Sequence, residues 1–437
     1  MARPFRSGRT LVVALTLLAA LALPGIARAQ PGPGTEINQC RNRLGGASSA
    51  VNDCTGSAWV TGNAGQANSF YREGDFVPMR SLITNLQAGR TYSLRVGYDA
   101  VEGGLHAYDY LGSVDGSIHP GQQIAPCLNS PPTSGPHACG HAPSTLLVPV
   151  DTHTTFPPLL NGGQKPGHFS TWGGTLEGAA YHYCPGDCGP IGPVTPGTVE
   201  RQIDVTFRAA GNTVVLALGA HIASTLAWGP GRTFISAGSG SSFHMRLKQI
   251  QEQGGQPQST GGQELSLSAS ALAPQPSPFT TSVASPSINT DENVIDTATL
   301  RGVPNRPVTG EVQFFVCGPA AGGPPDCSED GSPVGPPQVL ETLAGVTSEA
   351  TIKFPQEAAG PIDPGHYCFR AEYSPSPGSH YSPARHSGGP NQLAECFVVT
   401  LPPPRLTVTK LCDPPRDTGL FNLLVDGLPF GAATNVP

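Results

Sequence analysis

Lysine is scarce in this chain. Only Lys165, Lys248, Lys353 and Lys410 occur among 437 residues. Charged residues make up 13% and aromatics 7%, and there are three tryptophans. No stretch interleaves basic and aromatic side chains, so nucleic acid is not an expected partner. Beyond the N-terminus no apolar run is long enough to span a bilayer as a helix. Motifs that announce chemistry are also missing. There is no G-x-S-x-G; "SAGSGSS" at 236–242 misses the register. There is no H-E-x-x-H, no paired C-x₂-C and no EF-hand loop. Carboxylates paired as in a glycosidase are set by the fold, and nothing in the sequence nominates a pair. The expectation is a protein without catalysis and without a cofactor.

What is present begins with "MARPFRSGR", carrying Arg3, Arg6 and Arg9, then an apolar run and the small-residue exit "IARA". This order is that of a secretory signal peptide cut after Ala29, in preference to an uncleaved anchor. Cleavage leaves 20 basic residues against 31 acidic ones, a net charge of −11 against −7 for the whole chain. Such acidity favours solubility and says nothing about fold.

Glycine (55) and proline (47) together approach a quarter of the chain. Aromatic and β-branched runs recur between them, which reads as short strands joined by many turns. In "RTYSLRVGYDA", Tyr92, Leu94, Val96 and Tyr98 alternate with polar residues, the pattern of a half-buried strand. "AAGNT" at 209–213, between two apolar runs, is expected to be a hairpin turn. The expected organisation is a signal peptide (1–29), a flexible lead-in (30–36) and an N-terminal β-sandwich domain (37–273). A Pro-rich linker (274–278), a second domain (279–400), a linker (401–404) and a third unit (405–437) follow. In the second domain, "TDENVIDTATLRG", "TGEVQFFVCGP", "SEATIKFP", "GHYCFRAEYSP" and "AECFVVTLP" are five strand candidates at sandwich-like spacing.

This segment resembles the immunoglobulin-like repeats of bacterial surface and secreted proteins, on "DTATLRG…TGEVQFFVCGP…YCFRAEYSP…ECFVV". "FYREGDFVPMRSLITNL" with "GGLHAYDYL" is similar to N-terminal domains of such proteins whose activity is not established. "LTVTKLC…GLFNLLVDGLPFG" resembles the first two strands of prealbumin-like (SpaA or Cna B type) stalk domains. Such domains often carry a lysine-derived isopeptide bond, and Lys410 matches the lysine position loosely. An ordinary solvated lysine is the preferred reading. Some 33 residues are present where such a sandwich needs roughly 70–100. The expectation is therefore that the later strands lie past Pro437, the chain being a fragment or an interrupted gene product. The fold class expected is all-β: tandem β-sandwich modules, with an N-terminal decorated β-sandwich, an immunoglobulin-like sandwich and an incomplete prealbumin-like domain.

Eleven cysteines in a secreted chain read as a disulfide framework with one left over. Proximity suggests Cys40–Cys54, Cys127–Cys139, Cys184–Cys188, Cys317–Cys327 and Cys368–Cys396, with Cys412 unpaired. In "HYCFRAEY", Tyr367, Phe369, Ala371 and Tyr373 form the apolar face, which puts Cys368, Arg370 and Glu372 on the other. Cys368–Cys396 is thus expected to clamp two neighbouring strands on an outer, exposed face.

Nine of the twelve histidines lie in the first domain. "HACGH" (137–141) and "HYCPGDC" (182–188) could be drawn as a zinc site, but lack specific spacing, and disulfides with loop histidines are preferred. "GLHAYDYLGSVDGS" gathers His106, Tyr108, Asp109 and Tyr110, a candidate binding face for sugar or calcium. The competing reading is a strand with packed tyrosines and solvated acids. Trp59, Trp172 and Trp228 could form a sugar-stacking surface, although large aromatics are more often core. The leading expectation is a non-catalytic, secreted or cell-surface modular protein with a structural, adhesive or display role. Its expected partners are cell-wall glycan or an extracellular matrix or protein ligand. The alternatives are a carbohydrate- or metal-binding N-terminal domain and, more weakly, an extracellular hydrolase.

Overall fold

The computed structural model describes residues 32–43, 53–117, 122–127, 142–155, 163–183, 189–277, 279–302, 306–343, 345–356, 362–377 and 379–403, with the backbone of 421–425 and 428–433. The signal-peptide stretch, Cys139, Cys184, Cys188, Lys410 and Cys412 lie outside the described residues, as do His119, His137 and His141.

The chain is all-β, built as two successive sandwiches. The first contains β1 (Gly34–Cys40), β2 (Phe76–Thr84), β3 (Thr91–Glu102), β4 (Tyr108–Gly112), β5 (His168–Trp172), β6 (Gly174–Tyr181), β7 (Val199–Ala209), β8 (Val214–Ile222), the one-turn helix α1 (Thr225–Trp228), β9 (Ser242–Glu252) and β10 (Glu264–Ser268). One sheet runs β1–β2–β8–β5, with β4 also pairing β8; the other runs β9–β3–β7–β6, with β10 on β9.

Period-two alternation builds the core. Along β7, Val199, Ile203, Val205, Phe207 and Ala209 point inward between half-exposed neighbours. The inward set of β3, Tyr92, Leu94, Val96 and Tyr98, faces them and is buried. Strand β8 is buried on both faces. Leu216, Leu218 and Ala220 enter the main core, whereas Val215 and Ala217 meet an outer layer of Trp59, Trp172, Cys40, Cys54 and Cys127. Residues 209–213 therefore do not form a hairpin: β7 and β8 belong to opposite sheets, and the turn carries the chain across the sandwich. Gly-Asn signals a turn, but β8 is apolar on both faces and is buried between β2 and β5 of the opposite sheet rather than laddered against the alternating β7.

The second sandwich comprises β11 (Phe279–Val283), β12 (Ser287–Asn289), β13 (Val294–Arg301), β14 (Gly310–Ala320), β15 (Thr347–Phe354), β16 (Gly365–Pro375), β17 (Ala384–Ser387) and β18 (Cys396–Thr400). One sheet is β11–β13–β15; the other is β12–β18–β16–β14, with β17 on β16 and β12 parallel to β18. The core holds Val312, Phe314, Tyr367, Phe369, Ala371, Tyr373 and Phe397. Tyr367 donates to the carbonyl of Asp363 at 2.9 Å, tying the start of β16 to its own loop. A two-stranded hairpin, β19 (Phe421–Val425) with β20 (Leu428–Ala433), follows.

The structure closes Cys40–Cys54, Cys317–Cys327 and Cys368–Cys396. Cys127 is also disulfide-bonded. Cys368–Cys396 joins two neighbouring strands of one sheet, but the expectation of an exposed outer face is wrong. Cys368 and Arg370 are 0% exposed and Glu372 5%. Cys317 stands opposite Cys368 in the β14–β16 register, so the two disulfides pack as one cluster. The 321–331 loop, pinned by Cys317–Cys327 and by the Cys327 N–H to Gly388 carbonyl bond (3.2 Å), belongs to that layer. Alternation assigns a side chain to a face; it does not say whether a loop covers that face.

Candidate functional site

A cleft of about 550 Å³ opens where the two sandwiches meet. Its walls include Arg72, Asp75, Phe76, Asp109, Tyr110, Lys165 and His221 from the first, and Ser374, Pro375 and Pro383 from the second. Antiparallel pairing of β4 with β8 places Tyr110 opposite His221. Asp109, fully buried, accepts from His221 Nδ1 at 2.6 Å through one carboxylate oxygen and from Trp228 Nε1 at 3.0 Å through the other. The imidazole stacks on Tyr110 (4.3 Å between centroids) and meets the edge of Phe76 (4.9 Å). Phe76 can lie this close because Gly112 leaves room: a Cβ there would sit 2.5 Å from the ring. Burial, reinforced by the charge of Asp109, raises the Tyr110 phenol well above its ordinary value.

Behind the cleft, Glu73 sits fully buried at the junction. It accepts from the Thr225 N–H (2.9 Å), the Thr225 hydroxyl (2.7 Å) and the Thr233 hydroxyl. Burial pushes its carboxyl up to about 7 despite these donors. Gln275, from the segment read as a spacer, donates to Thr225 Oγ1 (2.7 Å) and to the Pro383 carbonyl (2.8 Å). Ser382 donates to the Ala273 carbonyl at 2.6 Å, and its own N–H reaches the Pro274 carbonyl at 2.8 Å. Arg385 of β17 points at the Leu226 carbonyl of α1 (3.5 Å), and Arg232 pairs with Glu329 at 3.5 Å. The linker is therefore hydrogen-bonded into both units.

The residues of the candidate face divide. His106 and Tyr108 are interior: His106 stacks on Trp228 at 3.6 Å, and Tyr108 packs edge-on to Phe243. Asp109 and Tyr110 line the cleft, and the acid is paired rather than solvated. Trp59 lies in the outer layer under Arg80, whose guanidinium is 4.8 Å above the ring; Trp228 is buried, and Trp172 packs beside Val215. Trp59 and Trp172 thus share the outer layer, and Trp228 lies apart from them in the main core. Sequence reading missed Glu73, and it did not join Asp109 to His221 across 112 residues. The available signal was an acid and a histidine each set inside an otherwise apolar strand.

A carboxylate on Nδ1 fixes the tautomer of an imidazole and leaves Nε2 free to take a proton, two thirds of the hydrolytic triad arrangement. Among the described residues no serine, threonine or cysteine hydrogen-bonds to His221. Nor do they contain a cluster of three His, Cys, Asp or Glu placed to hold a metal ion, or a helix long and apolar enough to cross a membrane. The closed disulfides fit an oxidising, extracellular compartment.

The fold and junction define a tandem β-sandwich protein. No family model matches the chain, and none of the curated proteins does. Among solved structures it is similar to a type II cohesin dyad from the adaptor ScaA scaffoldin of Acetivibrio cellulolyticus. The identity is 9% and the TM-score 0.17, over 74% of this chain and 97% of that one. It is also similar to a protein of Corynebacterium diphtheriae described as membrane anchored, with 9% identity and a TM-score of 0.18 over 86% and 93%. TM-scores this low carry no argument.

Proposed function

We propose that the protein is a non-catalytic extracellular structural module that spaces or displays a surface. The carrying observation is the junction: Ala273, the last residue of the first domain, and linker residues 274–275 are hydrogen-bonded to both sandwiches, so the pair forms one stiff body. Disulfides within each unit suit a part that must persist outside the cell. Small-angle scattering tests this directly. The native chain should fit a single rigid envelope, and Gln275→Ala with Ser382→Ala should broaden the distance distribution. An equally broad distribution for the native chain would refute the reading.

The cleft favours a second reading, binding of a small polar ligand such as a glycan fragment. Its aromatic wall of Phe76 and Tyr110 stands beside Arg72, Lys165 and the Asp109–His221 pair. Titration calorimetry with cell-wall oligosaccharides against the native chain and Tyr110→Ala would decide it, binding to the native chain alone being the supporting result.

A further inference from the structure

The second sandwich contains a buried polar cluster that belongs to neither the cleft nor the junction. Thr281 lies in β11, the first strand; Glu395 closes the turn immediately before β18, the last strand. The two are 114 residues apart and their strands lie in opposite sheets. Thr281 Oγ1 donates directly to Glu395 Oε2. His386 Nδ1 stands 3.1 Å from the same threonine oxygen and 3.6 Å from Glu395 Oε1. Asp296, on the adjoining β13, is 0% exposed, as is Glu395, and Thr281 is 5% exposed. The Asp296 oxygens face the Thr297 and Ser282 N–H groups without completing a normal hydrogen bond, and Glu395 Oε1 has no hydrogen bond, only the 3.6 Å contact with His386.

We propose that Thr281 and Glu395 condense to an intramolecular ester that joins the first and last strands of the second sandwich. Oγ1 of Thr281 attacks Cδ of Glu395, and His386 takes the hydroxyl proton. The C–O bond to the glutamate hydroxyl then breaks, and that hydroxyl leaves with the proton as water. One C–O bond forms and one breaks; no oxidant, reductant or nucleotide is needed. The electrophile must be the neutral acid, since a carboxylate resists attack. Burial, opposed by the Thr281 hydrogen bond, pushes Glu395 up to about 7. Burial and the Glu395 charge push Asp296 up to about 8, and burial lowers His386, keeping it a neutral base. Fixed approach of two groups gives effective molarities on the order of 10⁵–10⁸ M, enough to draw an ordinarily slow condensation forward. Lack of solvent access at Glu395 disfavours the return hydrolysis.

Intact-mass spectrometry of the secreted chain, with all disulfides reduced and alkylated, decides the matter. The native chain should be lighter by one water than its sequence requires. Fragmentation should place the loss in a branched peptide joining the Thr281 and Glu395 segments. Hydroxylamine should open the link, Thr281→Val should restore the full mass, and Thr281→Ser should keep the loss. A native chain at full mass, or a water loss mapped elsewhere, overturns the proposal. Neither result depends on any variant folding, and neither bears on the stiffness of the junction.

Discussion

Arg201 and Asp151 form an ion pair sealed inside the first sandwich. Their side chains are 1% and 0% exposed and meet at 2.7 Å, so solvent does not screen the pair. The alternation of β7 puts Arg201 on the inward face with Ile203 and Val205. Asp151 answers it from a loop and also accepts from Tyr183 (2.9 Å), the His153 N–H (2.9 Å) and Thr154. Burial alone would raise the Asp151 carboxyl, but these donors and Arg201 outweigh it and hold it below its ordinary value. Replacing Asp151 by Ala leaves a buried guanidinium facing the carbonyls of Gly189 (2.7 Å) and His153 (3.1 Å). Stranding one member of such a pair costs about 3–5 kcal/mol, and the two carbonyls keep this case near the lower end. Arg201→Met should cost less, because the remaining carboxyl retains three donors and can take a proton. The double variant should cost less than the sum of the singles by about 1–3 kcal/mol. All three tryptophans lie in the first sandwich, so their fluorescence during urea unfolding follows that unit alone. A loss below about 1 kcal/mol for Asp151→Ala, or strict additivity, would refute the argument.

Three further outcomes are expected. Glu73 has a folded value raised from 4.5 to about 7, so the folded state holds its proton longer than the unfolded chain. Stability should therefore fall by about 3 kcal/mol as pH rises from 4.5 to 7 and then level off, and Glu73→Gln should flatten that part of the thermal-melting profile. Cys40→Ser with Cys54→Ser, which opens a link spanning 14 positions, should lower stability by about 3 kcal/mol in the same fluorescence assay. His221→Ala should leave one oxygen of the buried Asp109 carboxylate without its donor, Trp228 still serving the other, and destabilise by about 1–3 kcal/mol, whereas Asp109→Asn with His221→Gln should recover part of the loss.

The strands were legible because their pattern is local. Tyr92 to Tyr98 and Tyr367 to Tyr373 alternate so cleanly that an all-β sandwich class follows from period two. What covers each sheet was not legible. Cys368, Arg370 and Glu372 read as solvent-facing, yet Cys327 of the 321–331 loop packs on Cys368 and Arg385 of β17 faces Glu372, a relation between distant segments. The same limit hid the pairing of Asp109 with His221 and of Thr281 with Glu395, since each depends on strand register. The turn at 209–213 was misread because a turn signal fixes a reversal of direction, not the sheet into which the chain returns. β11, β12 and β17 were missed, being short segments of three to five residues set among turns, and the stretch 30–36 read as a flexible lead-in ends inside β1, where Gly34–Glu36 pair with Leu82–Thr84.

Gln275 has a consequence for how such a chain transmits orientation. A flexible tether between modules averages over angles, and each added module adds freedom. Here one amide side chain bonds a threonine of the first unit and a backbone carbonyl of the second, while Ser382 holds the peptide just before it. On the proposed stiff junction, the angle between the modules is set by residues 273–275 rather than by the length of the tether. A single-residue insertion there would leave both sandwiches intact and change only where the distal one points.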